Sequence, residues 1–134
     1  MDLFVDTSVW SLALCRDVRS DEPTVERLRL ALETGEGVFT TGFVLQELLQ
    51  GFRGPKARDS IVERFGPLPF LVPDRADHVE AAEPGNVCRR SGILVGTIDA
   101  LLAQLCLRHG LVMLSTDRDF ELMARHVDLR RWVP

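Results

Sequence analysis

Short, uninterrupted apolar runs recur along the chain and are separated by longer stretches with helical spacing. The first run is Leu3-Phe4-Val5, which ends at the charged Asp6. Runs of this length without polar alternation are typical of strands buried on both faces, as in a parallel sheet. The predicted strands cover residues 3–5, 37–40, 70–72 and 111–114, with a fifth, edge strand at 129–133.

Apolar residues at helical spacing fill the intervals between these strands. The clearest helix begins at a Gly96-Thr97 cap, carries Ile98 and Cys106 on one apolar face and ends at Gly110. The remaining predicted helices cover residues 9–14, which Thr7-Ser8 is expected to cap, 23–35, 43–52, 55–65, 75–91 and 117–126.

The helical pattern at residues 75–91 is interrupted by Pro84-Gly85. A proline inside a helix removes a backbone hydrogen bond and costs about 3 kcal/mol. We therefore expect either a kink at this point or two short helices.

The order of elements is β-α-α-β-α-α-β-α-α-β-α-β, which predicts an α/β fold with helices on both faces of a mostly parallel sheet of four to five strands. The length of 134 residues fits a single domain, 1–134. In such sheets the functional site lies at the carboxyl ends of the strands. Candidate chemistry is therefore sought at those ends.

Acidic residues cluster at the predicted strand ends. Asp6 directly follows the first strand, Asp117 follows the fourth, and Asp119 lies two residues further on. Asp99 falls in the first turn of the clearest helix, and Glu47 falls one turn into the helix after the second strand. Any single Asp at such a position is commonly a helix cap or a partner of the helix dipole. Together, the acids are expected to converge on one site.

Glu47 differs from the other acids because its helix is apolar around most of its circumference. We expect the helix, and Glu47 with it, to be buried. A buried carboxylate takes up a proton or binds a cation, and no Lys or Arg lies within four residues of it. A metal ion is the natural partner.

Converging carboxylates repel one another unless a divalent cation holds them. Ligands that are all oxygen atoms favour Mg²⁺ or Mn²⁺ over zinc, and the three histidines show no paired spacing. Carboxylate-held Mg²⁺ is used chiefly for chemistry on phosphate esters, where it lowers the pKa of water and stabilises charge on the phosphate. The chain contains no Walker A motif, no G-x-G-x-x-G, no G-x-S-x-G and no D-x-D-x-T phosphatase motif.

Composition and charge limit the classes of protein to which this chain can belong. The chain is 46% hydrophobic and 27% charged, with a net charge of −4, which excludes a strongly basic nucleic-acid-binding protein. It carries an odd number of cysteines and no C-x-x-C pair, and Cys15 and Cys106 are expected to be small core residues. No signal peptide or membrane segment is evident, so a soluble, cytoplasmic protein is expected.

Four sequence blocks resemble the PIN-domain ribonucleases, and more closely the VapC-type toxins of toxin–antitoxin pairs. The resemblance extends over essentially the whole chain, with the blocks in order and at fitting spacings. The blocks are Val5-Asp6-Thr7-Ser8-Val9-Trp10, Gln46-Glu47-Leu48-Leu49-Gln50-Gly51, Val95-Gly96-Thr97-Ile98-Asp99-Ala100-Leu101-Leu102-Ala103 and Thr116-Asp117-Arg118-Asp119-Phe120.

The resemblance implies a PIN-like three-layer α/β/α sandwich with strand order 3-2-1-4-5. It also implies Mg²⁺-dependent endoribonuclease activity that leaves a 5′-phosphate and a 3′-hydroxyl, a cognate antitoxin and a homodimer. By position, Asp6, Glu47, Asp99 and Asp117 match the catalytic and metal-binding acids of the family, and Asp119 matches an additional metal-binding acid. Four hydroxyl side chains are expected around this acidic site: Thr7, Ser8, Thr97 and Thr116. The Pro84-Gly85 pair departs from the family, whose helix is usually unbroken here.

Basic side chains provide candidate contacts to RNA phosphates, although such residues are more often simply solvated surface groups. Without the charges of the four matched acids the net charge is zero, so the metal-loaded protein need not repel RNA. The RNA-binding candidates are Arg16, Arg53, Lys56, Arg89 and Arg90.

Apolar side chains on the helices after the first and second strands exceed what one sheet face must cover. They are expected to leave a groove for an amphipathic antitoxin helix, the alternative being that all of them are core. These side chains are Leu30, Leu45, Leu49, Phe52 and Phe65.

Two other functions remain open from the sequence. An acidic, Mg²⁺-dependent phosphatase or phospho-receiver domain would share the carboxylates, but a receiver needs a late Lys and the chain has only Lys56. A non-catalytic module that only binds a partner would more naturally have lost one of the four acids.

Overall fold

The fold is a four-stranded sheet with seven helices among the residues that the computed structural model describes, 1–15 and 21–134. The strands are β1 (Leu3–Val5), β2 (Val38–Thr41), β3 (Phe70–Leu71) and β4 (Val112–Leu114). The helices are α1 (Thr7–Leu14), α2 (Pro23–Thr34), α3 (Gly42–Gly51), α4 (Pro55–Phe65), α5 (Arg75–Arg90), α6 (Thr97–His109) and α7 (Arg118–Met123).

All strands of the sheet run parallel, in the order β3-β2-β1-β4. The central strand β1 is completely buried and pairs Leu3 with Val38 on one side and with Val112 on the other. Residues 129–133 do not form the predicted fifth strand. They contribute a single parallel bridge between Arg131 and Met113, beside β4, which agrees with the expected order but involves too few hydrogen bonds to count as a strand.

The interruption expected at Pro84 does not divide the helix, because α5 runs unbroken from Arg75 to Arg90. Pro84 is buried, and a Cβ on Gly85 would meet the Cβ of Ala100 at 3.7 Å. The close packing of α5 on α6 therefore offsets the lost backbone hydrogen bond. Two short helices were a wrong expectation, and the chain here follows the unbroken helix of the family it resembles.

One expected helix cap lies earlier in the structure, because Asp6, not Thr7-Ser8, is the N-cap of α1, although its side chain makes no capping hydrogen bond. The Gly96-Thr97 start of α6 is confirmed, with Gly96 as the N-cap and Thr97 as the first helical residue. The C-terminal ends follow expectation, since α6 ends at Gly110, whose φ of 64° is a conformation that glycine adopts without strain.

An ion-pair cluster holds α5 against α6. The Asp77 carboxylate, 1% exposed, accepts hydrogen bonds from Arg108 Nη1 at 2.7 Å and from the Asp74 backbone N–H at 2.9 Å. Asp74 in turn accepts from the Asp77 N–H, which completes a capping box at the start of α5. The cluster contacts the last turn of α6, whereas Asp99 lies in the first turn of the same helix.

The cysteines are not all core residues. Cys88 and Cys106 are buried, whereas Cys15 is exposed just after α1 ends, which contradicts its expected place in the core. The apolar run that suggested burial is the last turn of α1, whose exposed side carries Leu12. No helix in the described ranges has both the length and the apolar character needed to cross a membrane.

Candidate active site

Three carboxylates meet where the chain leaves β4 and enters α7, beside the first turn of α6. One oxygen atom each from Asp99, Asp117 and Asp119 lies within 4.8 Å of the others. Asp117 is also the N-cap of α7, where it accepts a hydrogen bond of 2.9 Å from the Asp119 N–H. The capping role expected for an isolated Asp is thus real at Asp117, and the same residue still faces two other carboxylates.

Asp6 joins this cluster from the end of β1 through a hydrogen-bond chain. Its Oδ2 accepts from the hydroxyls of Ser8 at 2.9 Å and Ser115 at 2.8 Å. Ser115 Oγ also accepts from the Asp117 N–H at 2.9 Å, and Ser8 Oγ accepts from the Thr116 N–H at 3.1 Å. These bonds connect the ends of the neighbouring strands β1 and β4 and fix the direction of the mostly buried Asp6 carboxylate.

Glu47 approaches the same cluster from α3, but it is not buried as expected. Its helix is fully buried only at Val44 and Leu48, and the Glu47 side chain is exposed. The pKa of Glu47 is nevertheless raised, first by partial desolvation of its carboxyl group and then by the negative charge of Asp6, while the nearby Thr7 hydroxyl opposes the rise. Glu47 therefore lies close to Asp6 on the open side of the site.

Mutual repulsion is strongest at Asp99. Its pKa is raised to about 6, first by burial and then by the charges of Asp117, Asp6, Asp119 and Glu47. The other four candidate acids therefore all act electrostatically on Asp99. Such a group is at its least favourable when all members are ionised without a cation.

The residues present fit a divalent metal ion. The donor set is made of carboxylate oxygens, which is the ligand chemistry of Mg²⁺ and Mn²⁺. The Thr7 hydroxyl beside Glu47 is buried and makes no well-formed hydrogen bond among the described residues, so it remains able to accept one from a metal-bound water molecule. Within the described chain, this is the group of acidic, His and Cys side chains close enough to hold a metal.

The hydroxyl residues expected around the site divide into two groups. Thr7 and Ser8 lie beside Glu47 and Asp6, as above. Thr97 is exposed in the first turn of α6 and lines a different cavity, and Thr116 takes part through its backbone N–H, not its hydroxyl.

Ser115 is a site residue that the sequence analysis missed. A signal for it was present, because Ser115 follows β4 directly and precedes Asp117 by two residues. Its hydroxyl carries no charge and is a weak metal ligand, so it lacks the features that distinguish the acids in the sequence. Its hydrogen bond to Asp6, which follows β1, is a tertiary contact that the local sequence does not reveal.

Replacing Ser115 tests this positioning. Ser115→Ala removes the hydrogen bonds to Asp6 and from Asp117, so we expect the activity that depends on these acids to fall about 10–100-fold, the range for residues that orient metal ligands. The melting temperature should change by no more than a few degrees. Ser115→Thr keeps the hydroxyl and should retain most activity. Full activity in Ser115→Ala, measured with the same substrate as for the wild type, would contradict the role.

The basic residues expected to bind RNA do not form one surface. Arg53 and Lys56 line a cavity of about 470 Å³ beside α1 and α4, whereas Arg89 lines a cavity of about 240 Å³ between α5 and α6. Arg90 instead lies 3.4 Å from Glu83 in an exposed ion pair. Arg16 lies outside the described residues. Lys56 is not among the charges that act on the acids, so the phospho-receiver alternative gains no support.

Comparison with known proteins gives consistent matches. The family model of the PIN domain matches residues 3–126. The VapC ribonuclease Mb1587 of Mycobacterium bovis is 31% identical over 130 residues, covering 96% of this chain and 96% of the relative. Ribonuclease VapC11 of Mycobacterium tuberculosis matches with the same identity and coverage.

Solved structures share the fold. VapBC2 from Rickettsia felis, bound to a DNA fragment from its promoter, gives a TM-score of 0.76 at 16% identity and covers 98% of each chain. DNA-bound VapBC from Salmonella typhimurium gives 0.74 at 23% identity, covering 98% of this chain and 97% of that one. VapC20 of Mycobacterium tuberculosis, a toxin that cleaves the sarcin-ricin loop, gives 0.67 at 20% identity, covering 96% and 99%.

Proposed function

Because the chain belongs to the PIN-domain family, and its curated relatives are VapC ribonucleases, we propose that it is a metal-dependent endoribonuclease toxin neutralised by a cognate antitoxin. The observation that carries the proposal is the convergence of Asp99, Asp117 and Asp119, with Asp6 and Glu47 close enough to raise the pKa of Asp99. RNA is the substrate class, and residues 1–134 act as one catalytic domain.

Asp99, Asp117, Asp119 and Asp6 would hold a divalent ion such as Mg²⁺ or Mn²⁺. The ion, when bound, supplies a Lewis acid for the attacked phosphate and for water. Ser8 and Ser115 keep the Asp6 carboxylate pointed at the site. Glu47 is the acid that accepts a proton from the attacking water, because it lies on the exposed side of the cluster and its pKa is raised by desolvation and by the charge of Asp6. In-line attack leaves a 5′-phosphate and a 3′-hydroxyl.

The metal requirement provides the direct test. The purified chain, incubated with end-labelled structured RNA and Mg²⁺ or Mn²⁺, should cleave at discrete positions, and EDTA should stop cleavage because the carboxylates then lack their cation. Excess Mg²⁺ should restore it. The ends of the products, determined by their reactivity with ligase and kinase, should be a 5′-phosphate and a 3′-hydroxyl.

Trace nuclease contamination is excluded by a matched variant purified in parallel. Asp117→Asn removes one proposed ligand, whereas Asp59→Asn makes the same chemical change at an exposed residue paired with Arg58. Cleavage that survives EDTA, or that is equal in Asp117→Asn and Asp59→Asn, would contradict the proposal.

The antitoxin is proposed to dock beside α1 and α4. The cavity of about 470 Å³ there has apolar walls that include Leu14, Phe52 and Ile61, and Arg53 and Lys56 also line it. This surface suits an amphipathic helix that carries acidic residues at its edges. Of the five side chains expected to form an antitoxin groove, Phe52 lines this cavity.

The residues expected in the groove occupy three kinds of environment. Phe65 is 3% exposed and belongs to the core, where its ring packs 4.8 Å from that of Trp10. Leu45 and Leu49 are half-buried against the core, and Leu30 is 51% exposed on α2. Only Phe52 lines the cavity.

A homodimer is proposed from the edge of the sheet. Strand β3 lies at the edge, next to β2 alone, and Phe70 there and the following Val72 are 47% and 78% exposed. An exposed edge with apolar side chains is a common site of pairing with a second copy.

A further inference from the structure

A second cavity, of about 240 Å³, lies between α5 and α6 and is separate from the acidic cluster. Its α5 wall is formed by one face of that helix, which includes His78, Ala82, Asn86 and Arg89. Its α6 wall is formed by the first turns of that helix, which include Thr97. We call this cavity the α5–α6 groove.

The floor of the α5–α6 groove is made of small residues. Ala81, Gly85 and Ala100 contribute little more than backbone and methyl groups, and a Cβ on Gly85 would already meet the Cβ of Ala100 at 3.7 Å. A space with small residues on its floor and polar side chains at its edge can admit a planar group. Its volume has room for one nucleobase.

Polar groups at the edge of the groove are free to bind a ligand. In the described part of the chain, the side chains of His78, Asn86 and Arg89 make no hydrogen bond or ion pair with the protein, whereas the neighbouring Arg90 lies 3.4 Å from Glu83. An amide and an imidazole can both donate and accept, and a guanidinium donates several hydrogen bonds in one plane. This set matches the edge of a base, with the guanidinium also able to bind the attached phosphate.

The location connects the groove to the chemistry. Thr97 lines the groove and Asp99 joins the acidic cluster, and both lie in the first turn of α6. Helical periodicity directs them to different sides of α6, which is about 10 Å across. A single strand crossing the start of α6 would therefore enter the groove a few nucleotides away from the acids.

We propose that the α5–α6 groove binds one unpaired base of the RNA substrate, a short distance along the strand from the cleaved phosphate, and so gives cleavage a base preference. The proposal rests on the ribonuclease activity proposed above. Recognition of unpaired bases through their edges is the usual mode of sequence-specific RNA binding.

Two pairs of matched variants test the proposal with a randomised single-stranded RNA library, whose cleaved sites are sequenced. Ala82→Leu fills the groove and Ala76→Leu makes the same change at an exposed position of α5 outside it. Arg89→Ala removes a lining cation and Arg90→Ala removes its neighbour. We expect Ala82→Leu and Arg89→Ala to weaken the base preference at one position about 10-fold, and their partners to leave it unchanged.

Crosslinking separates this proposal from the nuclease proposal. RNA carrying 4-thiouridine at single positions is irradiated with Asp117→Asn protein, and the attached peptides are identified by mass spectrometry. The proposal is supported if crosslinks form to α5 or the first turns of α6 and disappear in the double variant that carries Ala82→Leu as well as Asp117→Asn. This result would support base binding in the α5–α6 groove even if the wild-type protein cleaves no RNA. An unchanged base preference in both groove variants, or crosslinks confined to other elements, overturns it.

Discussion

Asp99→Asn is expected to abolish RNA cleavage, with a loss of about 10²–10³-fold or more, while stabilising the metal-free protein. Activity falls because the substitution removes one of three carboxylates whose oxygen atoms lie within 4.8 Å of each other. Stability rises because an ionised Asp99 is repelled by Asp117, Asp6, Asp119 and Glu47, and a neutral amide is not. A gain in stability with a loss of function is the signature of a functional site.

The gain in stability should depend on pH. The pKa of Asp99 in the folded protein is about 6, above its usual value of 3.8 in the unfolded chain, so its ionisation destabilises the fold as pH rises through that interval. With allowance for solvent screening of this partly exposed group, the effect is about 1 kcal/mol, or about 3–5 °C in melting temperature. We expect Asp99→Asn to melt higher than the wild type at pH 7.5 in EDTA and equally at pH 4.

Two comparisons make this result decisive. Added Mg²⁺ should raise the melting temperature of the wild type at pH 7.5 more than that of Asp99→Asn, because the cation relieves the same repulsion. Asp128→Asn, an exposed acid after α7, provides the control for a change of charge alone. A clear drop in the melting temperature of Asp99→Asn in EDTA would identify Asp99 as a structural partner of the α6 dipole instead.

Asp77→Ala is expected to cause the largest loss of stability outside the apolar core. It leaves the Asp74 N–H and Arg108 without the carboxylate that they bind at 2.9 Å and 2.7 Å. Breaking a fully buried pair costs about 3–5 kcal/mol, and because Arg108 is 43% exposed and can be resolvated, we expect about 2–3 kcal/mol. Thermal unfolding should show a melting temperature lower by about 8–12 °C.

The pH dependence of Asp77 has the opposite sign to that of Asp99. Burial alone would raise the pKa of Asp77, but the hydrogen bond from Arg108 and the bonds with Asp74 outweigh burial and lower it. Its contribution to stability is therefore present above the usual Asp pKa and is lost as pH falls through the folded pKa. The difference between wild type and Asp77→Ala should shrink below about pH 4.

Asp77→Asn serves as the matched variant, because it can still accept from the Asp74 N–H but loses the charge that faces Arg108. It should lie between the wild type and Asp77→Ala in stability. Equal stability of all three proteins at pH 7 would contradict the proposed role of the cluster in holding α5 on α6. Asp99 and Arg108 lie at opposite ends of α6. The activity of Asp77→Ala should therefore fall only near its melting temperature, where the protein unfolds.

Local sequence determined the elements of this protein and the positions of its acids. The unalternating runs at β1 and β4 predicted buried parallel strands, because a strand covered on both faces has no side that must be polar. Asp6 and Asp117 follow those runs directly or closely, and the carboxyl ends of neighbouring parallel strands necessarily share one edge of the sheet. The convergence of the acids was therefore foreseeable without coordinates.

The tertiary structure alone decided the role of groups that depend on a neighbour far away in the sequence. Pro84 stays inside one helix because α6 packs against that helix. Residues 129–133 form one bridge to β4, a pairing that their own sequence pattern cannot specify. The exposure of Glu47 depends on how α3 lies on the sheet, and Ser115 acquires its role through Asp6, 109 positions away in the chain. Periodicity reports which face of an element is apolar, but it carries no information about the element that meets that face.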